Sequence, residues 1–161
     1  MKRTAFVLVL LALACATLAT AASVESVLSA PQAKVMKGDF SLRARVVSDK
    51  GASQPTWRWR LYFDTDLNSF TGWLQSRGYE YVACPTSYAG GQLAVSRALT
   101  GSTDGMGGTL CGYGSMAMDS RELALTVPLS MLGPSDGRFA WELMVFDANG
   151  LWLGSYCGRY E

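Results

Sequence analysis

The chain has 161 residues, 49% of them apolar, with 14 basic and 13 acidic side chains and no histidine. A formal net charge of +1 argues against nucleic acid as the main partner. The lack of histidine excludes Ser–His and Cys–His nucleophile pairs and histidine-ligated zinc.

In chain order, Lys2-Arg3 and the apolar run AFVLVLLALA read as the positive and apolar regions of a signal peptide. Ala19-Thr20-Ala21 supplies a small-x-small cleavage site, so residues 1–21 are expected to leave and the mature chain to begin at Ala22, secreted or periplasmic. Ala12-Leu13-Ala14-Cys15 is a loose lipobox, and a lipoprotein anchored at Cys15 is the alternative. An uncleaved anchor ranks third, because the run is short for a membrane span; no later segment is long and apolar enough for one. Loss of Lys2 and Arg3 leaves 12 basic against 13 acidic residues, a net charge of −1.

Residues 22–38 are expected to form an N-terminal extension or a first edge strand, and 39–161 a single β-domain. Phe40, Leu42, Ala44 and Val46 alternate with Ser41, Arg43, Arg45 and Val47. Trp57, Trp59, Leu61 and Phe63 alternate with Arg58, Arg60, Tyr62 and Asp64. Period two means one buried face and one wet face. Tyr79–Cys84, Gln92–Leu99 and Thr109–Met118 read as further strands, and Glu122–Pro128 alternates clearly through Leu123, Leu125 and Val127. Ser130–Leu132 suits one helical turn before Gly133-Pro134. Phe139–Phe146 and Leu151–Tyr156 complete the set, joined by Asp147–Gly150, whose Asn149-Gly150 suits a tight hairpin. Seven to nine short strands between turn-rich connections predict an antiparallel two-layer β-sandwich, of jelly-roll or immunoglobulin-like type.

The chemistry concentrates where the Trp57–Asp64 strand ends. Asp64, Asp66 and Asn68 place oxygen at alternate positions of one loop. A hard cation such as Ca2+ takes six to eight oxygens in irregular geometry. Main-chain carbonyls near Phe70 and a distant carboxylate would complete the shell, with Glu80 the first choice and Asp147 the second. An EF-hand is excluded, because Gln75 stands at position twelve and no helices flank the loop. The competing reading is a solvated turn in which Asp and Asn cap local amides. The same residues do not make an active site. Asp66 stands where an aspartic-protease loop needs glycine, and no second copy exists. The glycine run 101–108 lacks the Lys-Ser/Thr and helix of a phosphate loop. Asp64 and Asp66 sit in one loop rather than on two sides of a cleft, as a glycosidase would need.

FDTDLNSFTGW at 63–73, GYEY at 78–81 and VPLSMLG at 127–133 together resemble a pattern of secreted bacterial β-sandwich domains: family 9 carbohydrate-binding modules and DOMON-like domains. There a strand enters a D-T-D-x-N-x-x-T-G loop, a Gly-x-Asp/Glu-Tyr strand follows, and a late strand ends in a PLS-x-LG turn. The match spans roughly Asp39 to Gly150. Ser69 replaces the usual proline and Glu80 the commoner aspartate. The resemblance implies a sandwich and a cation in the loop, without specifying a ligand.

Cys84, Cys111 and Cys157 remain after export, and an oxidising compartment favours one disulfide, for which Cys84–Cys111 is the preferred pairing. Trp57 and Trp59 share the core face, whereas Trp73, Tyr81 and Trp152 are candidates for stacking on sugar rings, with core or loop packing as the plainer reading for the tryptophans. Arg43, Arg45, Arg58 and Arg60 would form one basic stripe if their strands were neighbours. These features predict a non-catalytic, calcium-stabilised binding module that contacts a polysaccharide or surface polymer. The alternative is a filament or coat subunit that self-associates by adding residues 22–36 to a neighbour's sheet edge.

Overall fold

The structure, a computed structural model, describes residues 23–47, 57–71, 78–87, 91–98, 108–133 and 137–161. Residues 1–21, expected to be a signal peptide, with Cys15 among them, and Trp73 therefore lie outside the described residues. Nine strands follow one another: β1 (Gln32–Met36), β2 (Asp39–Arg45), β3 (Trp57–Asp64), β4 (Tyr81–Pro85), β5 (Gly91–Arg97), β6 (Thr109–Met118), β7 (Glu122–Pro128), β8 (Phe139–Asp147) and β9 (Trp152–Tyr160). Short 3₁₀ turns span Val24–Ser26 and Leu129–Leu132. Every pairing is antiparallel. Among the described residues the fold is all-β with nine strands, within the seven to nine that the alternation predicts. A single sheet in the order β1-β2-β7-β6-β5-β4-β3-β8-β9 carries them all, nearly closed on itself. All the strands expected in two layers thus lie in one curled sheet, whose β2–β7 arm packs against its β3–β8 arm. Among the described residues no helix is long and apolar enough to cross a membrane.

Alternation explains the core. Phe40 and Leu42 of β2, Trp57 to Phe63 at every second position of β3, Leu123 to Val127 of β7 and Phe139 to Val145 of β8 share one interior cluster. Phe40 from one arm meets Phe63 and Phe139 of the other, with ring centroids 5.2 and 5.7 Å apart and edges to faces. Each fully buried side chain of this size stabilises the fold by about 1.5–3 kcal/mol relative to exposure.

Residues 23–36 belong to the chain's own fold. Val24, Val27 and Leu28 are buried in the main cluster, and β1 pairs with β2. Leu28 bridges Val46 beyond β2, while its carbonyl accepts the Tyr156 hydroxyl of β9 at 2.8 Å. This segment thereby links the two ends of the sheet order. Donating it to a neighbour's edge would withdraw three apolar side chains from the core.

The sequence pattern departs from the structure in four places. First, β9 runs to Tyr160 rather than Tyr156. Gly158 breaks the alternation, but its missing Cβ admits the Trp141 ring, which a Cβ would approach to 2.9 Å, and Tyr160 stacks on Phe139. Second, the outer face of β3, β4 and β8 is not simply wet. Tyr62, Tyr79, Val82 and Met144 form a second buried cluster there, and the Tyr79 hydroxyl donates to the buried carboxylate of Glu142. Third, β2 and β3 are not neighbours, so the four arginines do not form one stripe. Arg43 pairs with Glu122 at 3.3 Å, whereas Arg60 lies over the Phe146 ring. Fourth, Cys84 and Cys111 do not form a disulfide; both, and Cys157, are free thiols. Cys84 is on β4 and Cys111 on β6, with β5 between them. Two strand spacings amount to about 10 Å, beyond the roughly 7 Å that a disulfide spans between Cα atoms.

Candidate metal centre

Asp64 is the last residue of β3 and faces Ala140 of β8. Alternation sends its side chain outward, on the same face as Tyr62. The chain then curls back on itself. Leu67 adopts a left-handed conformation, φ 55°, which costs a residue with a Cβ roughly 1–2 kcal/mol. Two successive capping turns hold the curl. Asp66 Oδ1 accepts the Asn68 N–H at 2.9 Å, and Asn68 Oδ1 accepts the Phe70 N–H at 3.1 Å. The Thr71 N–H donates to the Asn68 carbonyl at 3.1 Å.

Gly78–Glu80 supplies the second wall. Gly78 has φ 69°, and a Cβ there would stand 2.4 Å from the Asn68 carbonyl oxygen. The Glu80 N–H donates to the Phe63 carbonyl at 3.0 Å, which registers this segment beside β3. Its carboxylate then reaches the loop: Oε2 accepts the Thr65 N–H at 2.8 Å, and Oε1 accepts the Thr71 hydroxyl at 3.0 Å.

One oxygen each from Asp64, Asp66 and Glu80 falls within 4.8 Å of the others. Asp64 is 8% exposed, and its Oδ1 is sealed from solvent with no hydrogen-bond partner. A buried acceptor left so costs about 1–3 kcal/mol, more when charged. Thr71 Oγ1 is crowded in the opposite sense. It has one proton, yet Asp66 Oδ1 and Oδ2, the Asn68 carbonyl and Glu80 Oε1 surround it at 2.9, 2.8, 2.9 and 3.0 Å. Oxygen thus outnumbers the protons available to join it. Burial, and then the charge of Asp66, push the Asp64 carboxyl above its ordinary range, against the lowering by main-chain N–H groups at Leu67 and Asn68. Burial also raises Glu80, with the charges of Asp66 and Asp64 adding to it and the Thr65 and Thr71 donors opposing.

These groups fit a hard divalent cation. Three carboxylates, a hydroxyl and a carbonyl approach the six to eight oxygens that calcium takes, and no sulfur or imidazole favours a softer metal. Asp64, Asp66 and Glu80 come together as their spacing suggests. Asn68 differs: its side-chain oxygen caps Phe70, and its main-chain carbonyl is the atom beside Thr71. The carbonyl seen beside the cluster is that of Asn68, two residues before Phe70, whose side chain is 93% exposed. Asp147 is at the other end of the ladder, opposite Trp57, where its Oδ1 caps Asn149 and Leu151 in the hairpin turn. Thr65 and Thr71 are the residues that sequence reasoning missed as participants. Counting oxygens at every second position stops at Asn68, although Thr71 completes the D-T-D-x-N-x-x-T-G pattern.

Of the aromatic candidates, Tyr81 is 7% exposed within the main cluster and cannot stack on a sugar. Its hydroxyl occupies the space a Cβ on Gly133 would need. Trp152 is 54% exposed and paired with Phe146. The three segments of the D-T-D, GYEY and PLS-x-LG pattern meet around residues 78–81: Gly78 on Asn68–Ser69, Glu80 on Thr65 and Thr71, and Tyr81 on Gly133. No family model matches the chain, and no curated protein or solved structure matches it.

Proposed function

We propose that this chain is an exported, non-catalytic binding module in which one calcium ion ties the 64–71 loop to Glu80. The observation that carries the reading is the buried, unpartnered Asp64 Oδ1 on a carboxylate that has oxygens of Asp66 and Glu80 within 4.8 Å. A cation there would neutralise three converging charges and supply the missing partner. Its role would be structural. Glu80 directly follows Tyr79, which lies over the second cluster at 5.2 Å from the Tyr62 ring and donates to Glu142. Holding Glu80 therefore holds that cluster's cover.

A polysaccharide or other surface polymer is the expected ligand class, and of the stacking candidates Tyr81 and Trp152 only Trp152 is exposed to meet it. The filament reading has less support, because residues 23–36 are engaged in their own sheet and core.

Thermal unfolding of the chain from Ala22, in EDTA and then across a calcium titration, tests the metal. Ligand at about a hundred times its Kd adds roughly 2.7 kcal/mol if it binds only the native state. The expected result is a melting temperature that rises and saturates. An unchanged melting temperature would reduce the loop to a pair of solvated capping turns.

A further inference from the structure

A second polar site lies at the opposite end of the sheet from the acidic loop. Phe40, early in β2, touches Phe63 beside Asp64. Arg45 is five residues further along the same strand, about 17 Å away at strand rise. There a cavity of about 340 Å³ opens, lined by Ser29, Gln32, Arg43, Arg45, Arg121 and Glu122 among others. Its walls are tied together. The Ser29 N–H donates to the Arg45 carbonyl at 2.9 Å, the Arg45 N–H to Ser29 Oγ at 3.0 Å, and the Val46 N–H to the Arg121 carbonyl at 2.8 Å. Three arginines thus line a braced rim.

Charge at the rim is unbalanced. Glu122 binds Arg43 at 3.3 Å and lies opposite Arg45 in the ladder. Asp119, the other nearby carboxylate, accepts the main-chain N–H groups of Arg121 and Glu122 at 2.7 and 2.8 Å. Among the described residues neither Arg45 nor Arg121 has an ion-pair partner within 4.0 Å, and Arg121 feels only the longer-range attraction of Asp119. Arginine presents a planar fork matched to two oxygens of a carboxylate or sulfate. The Ser29 hydroxyl and Gln32 amide add neutral partners of the kind sugar hydroxyls take, and the volume is at the lower end for small-ligand sites.

We propose that this groove binds an acidic saccharide unit, its carboxylate or sulfate held by Arg45 and Arg121. The inference gives a ligand class to the binding module proposed above, and it rests on that reading but not on its calcium ion. The test is titration calorimetry of the chain from Ala22 with a uronate oligosaccharide, a sulfated oligosaccharide and a neutral one, at low ionic strength, in calcium and again in EDTA. At least one acidic oligosaccharide should bind in both buffers and weaken as salt is added. R45Q/R121Q should lose tenfold or more in affinity. E122Q should gain severalfold, because Arg43 is released; that opposite sign cannot come from misfolding. The proposal is overturned if neither acidic oligosaccharide binds, if the neutral one binds equally, or if R45Q/R121Q binds like the parent. It is also overturned if inorganic sulfate or anionic phospholipid vesicles are held as tightly as the oligosaccharide. Loss of binding in EDTA alone would move the ligand to the metal loop and overturn the assignment to this groove.

Discussion

Asp64 concentrates the conflict at the residue scale, since its carboxylate is buried, without a partner at Oδ1 and beside two others. Replacing it should act with opposite signs in the two metal states. In EDTA, Asp64→Asn removes a converging charge, so the variant should melt above the parent by about 1 kcal/mol or more, the size of a single unpaired buried group. In saturating calcium the order should reverse, because a ligand is lost. Parallel melting curves decide it, and a variant less stable in both buffers would contradict the repulsion. The pH dependence follows from the same cause. Asp64 and Glu80 have folded-state pKa values raised above their ordinary ones. Across the interval between unfolded and folded values the native state binds more protons, so these groups destabilise the metal-free protein above their folded pKa. That penalty fades as pH falls towards the unfolded values near 4. The advantage of Asp64→Asn in EDTA should therefore shrink between pH 7 and pH 4. A constant difference would mean that the carboxyl is not shifted.

Elements explain how residues distant in sequence meet. Gly78 carries Glu80 to the loop because it has a positive φ and no Cβ against the Asn68–Ser69 backbone. Gly78→Ala should cost about 1–3 kcal/mol from strain and should weaken calcium binding, which a calcium titration of the variant would measure. Strand order also governs the cysteines. Burial pushes the Cys84 thiol up to about 11, whereas Cys111 and Cys157 are exposed. A disulfide-exchange reagent at pH 8 should therefore react quickly with two thiols of the native chain from Ala22 and slowly with the third. Three equal rates would place Cys84 at the surface. The alternation that defines β2, β3 and β7 was legible because one face is buried. It could not reveal the second cluster under Tyr79, since an outward Tyr62 reads the same whether solvent or another side chain covers it.

Over the whole molecule, closure of the sheet depends on the segment before β1. Leu28 is fully buried, bridges Val46 and receives the Tyr156 hydroxyl through its carbonyl. Leu28→Ala should destabilise by about 2–5 kcal/mol, as measured by chemical denaturation. A change below 1 kcal/mol would show that the segment is an appendage after all. Of the two expectations for residues 22–38, an extension or a first edge strand, Gln32–Met36 forms the edge strand β1, while Val24, Val27 and Leu28 before it follow no strand period. They are covered by the chain just after β2 and by β9, which follows more than a hundred residues later.

By itself the sequence determined the all-β class, the approximate strand positions and the carboxylates of the loop. Those features are local: period two, turn residues and oxygen spacing are written within ten residues of chain. Tertiary structure alone decided the strand order, and with it that β5 separates Cys84 from Cys111, that the arginines divide between two arms, and that Tyr81 is core. It also decided that Glu80 faces Thr65 and Thr71 while Arg45 and Arg121 share a groove. Hydrogen-bonded ladders accept any strand as neighbour on local grounds, so the order follows only when all the apolar faces close over one core.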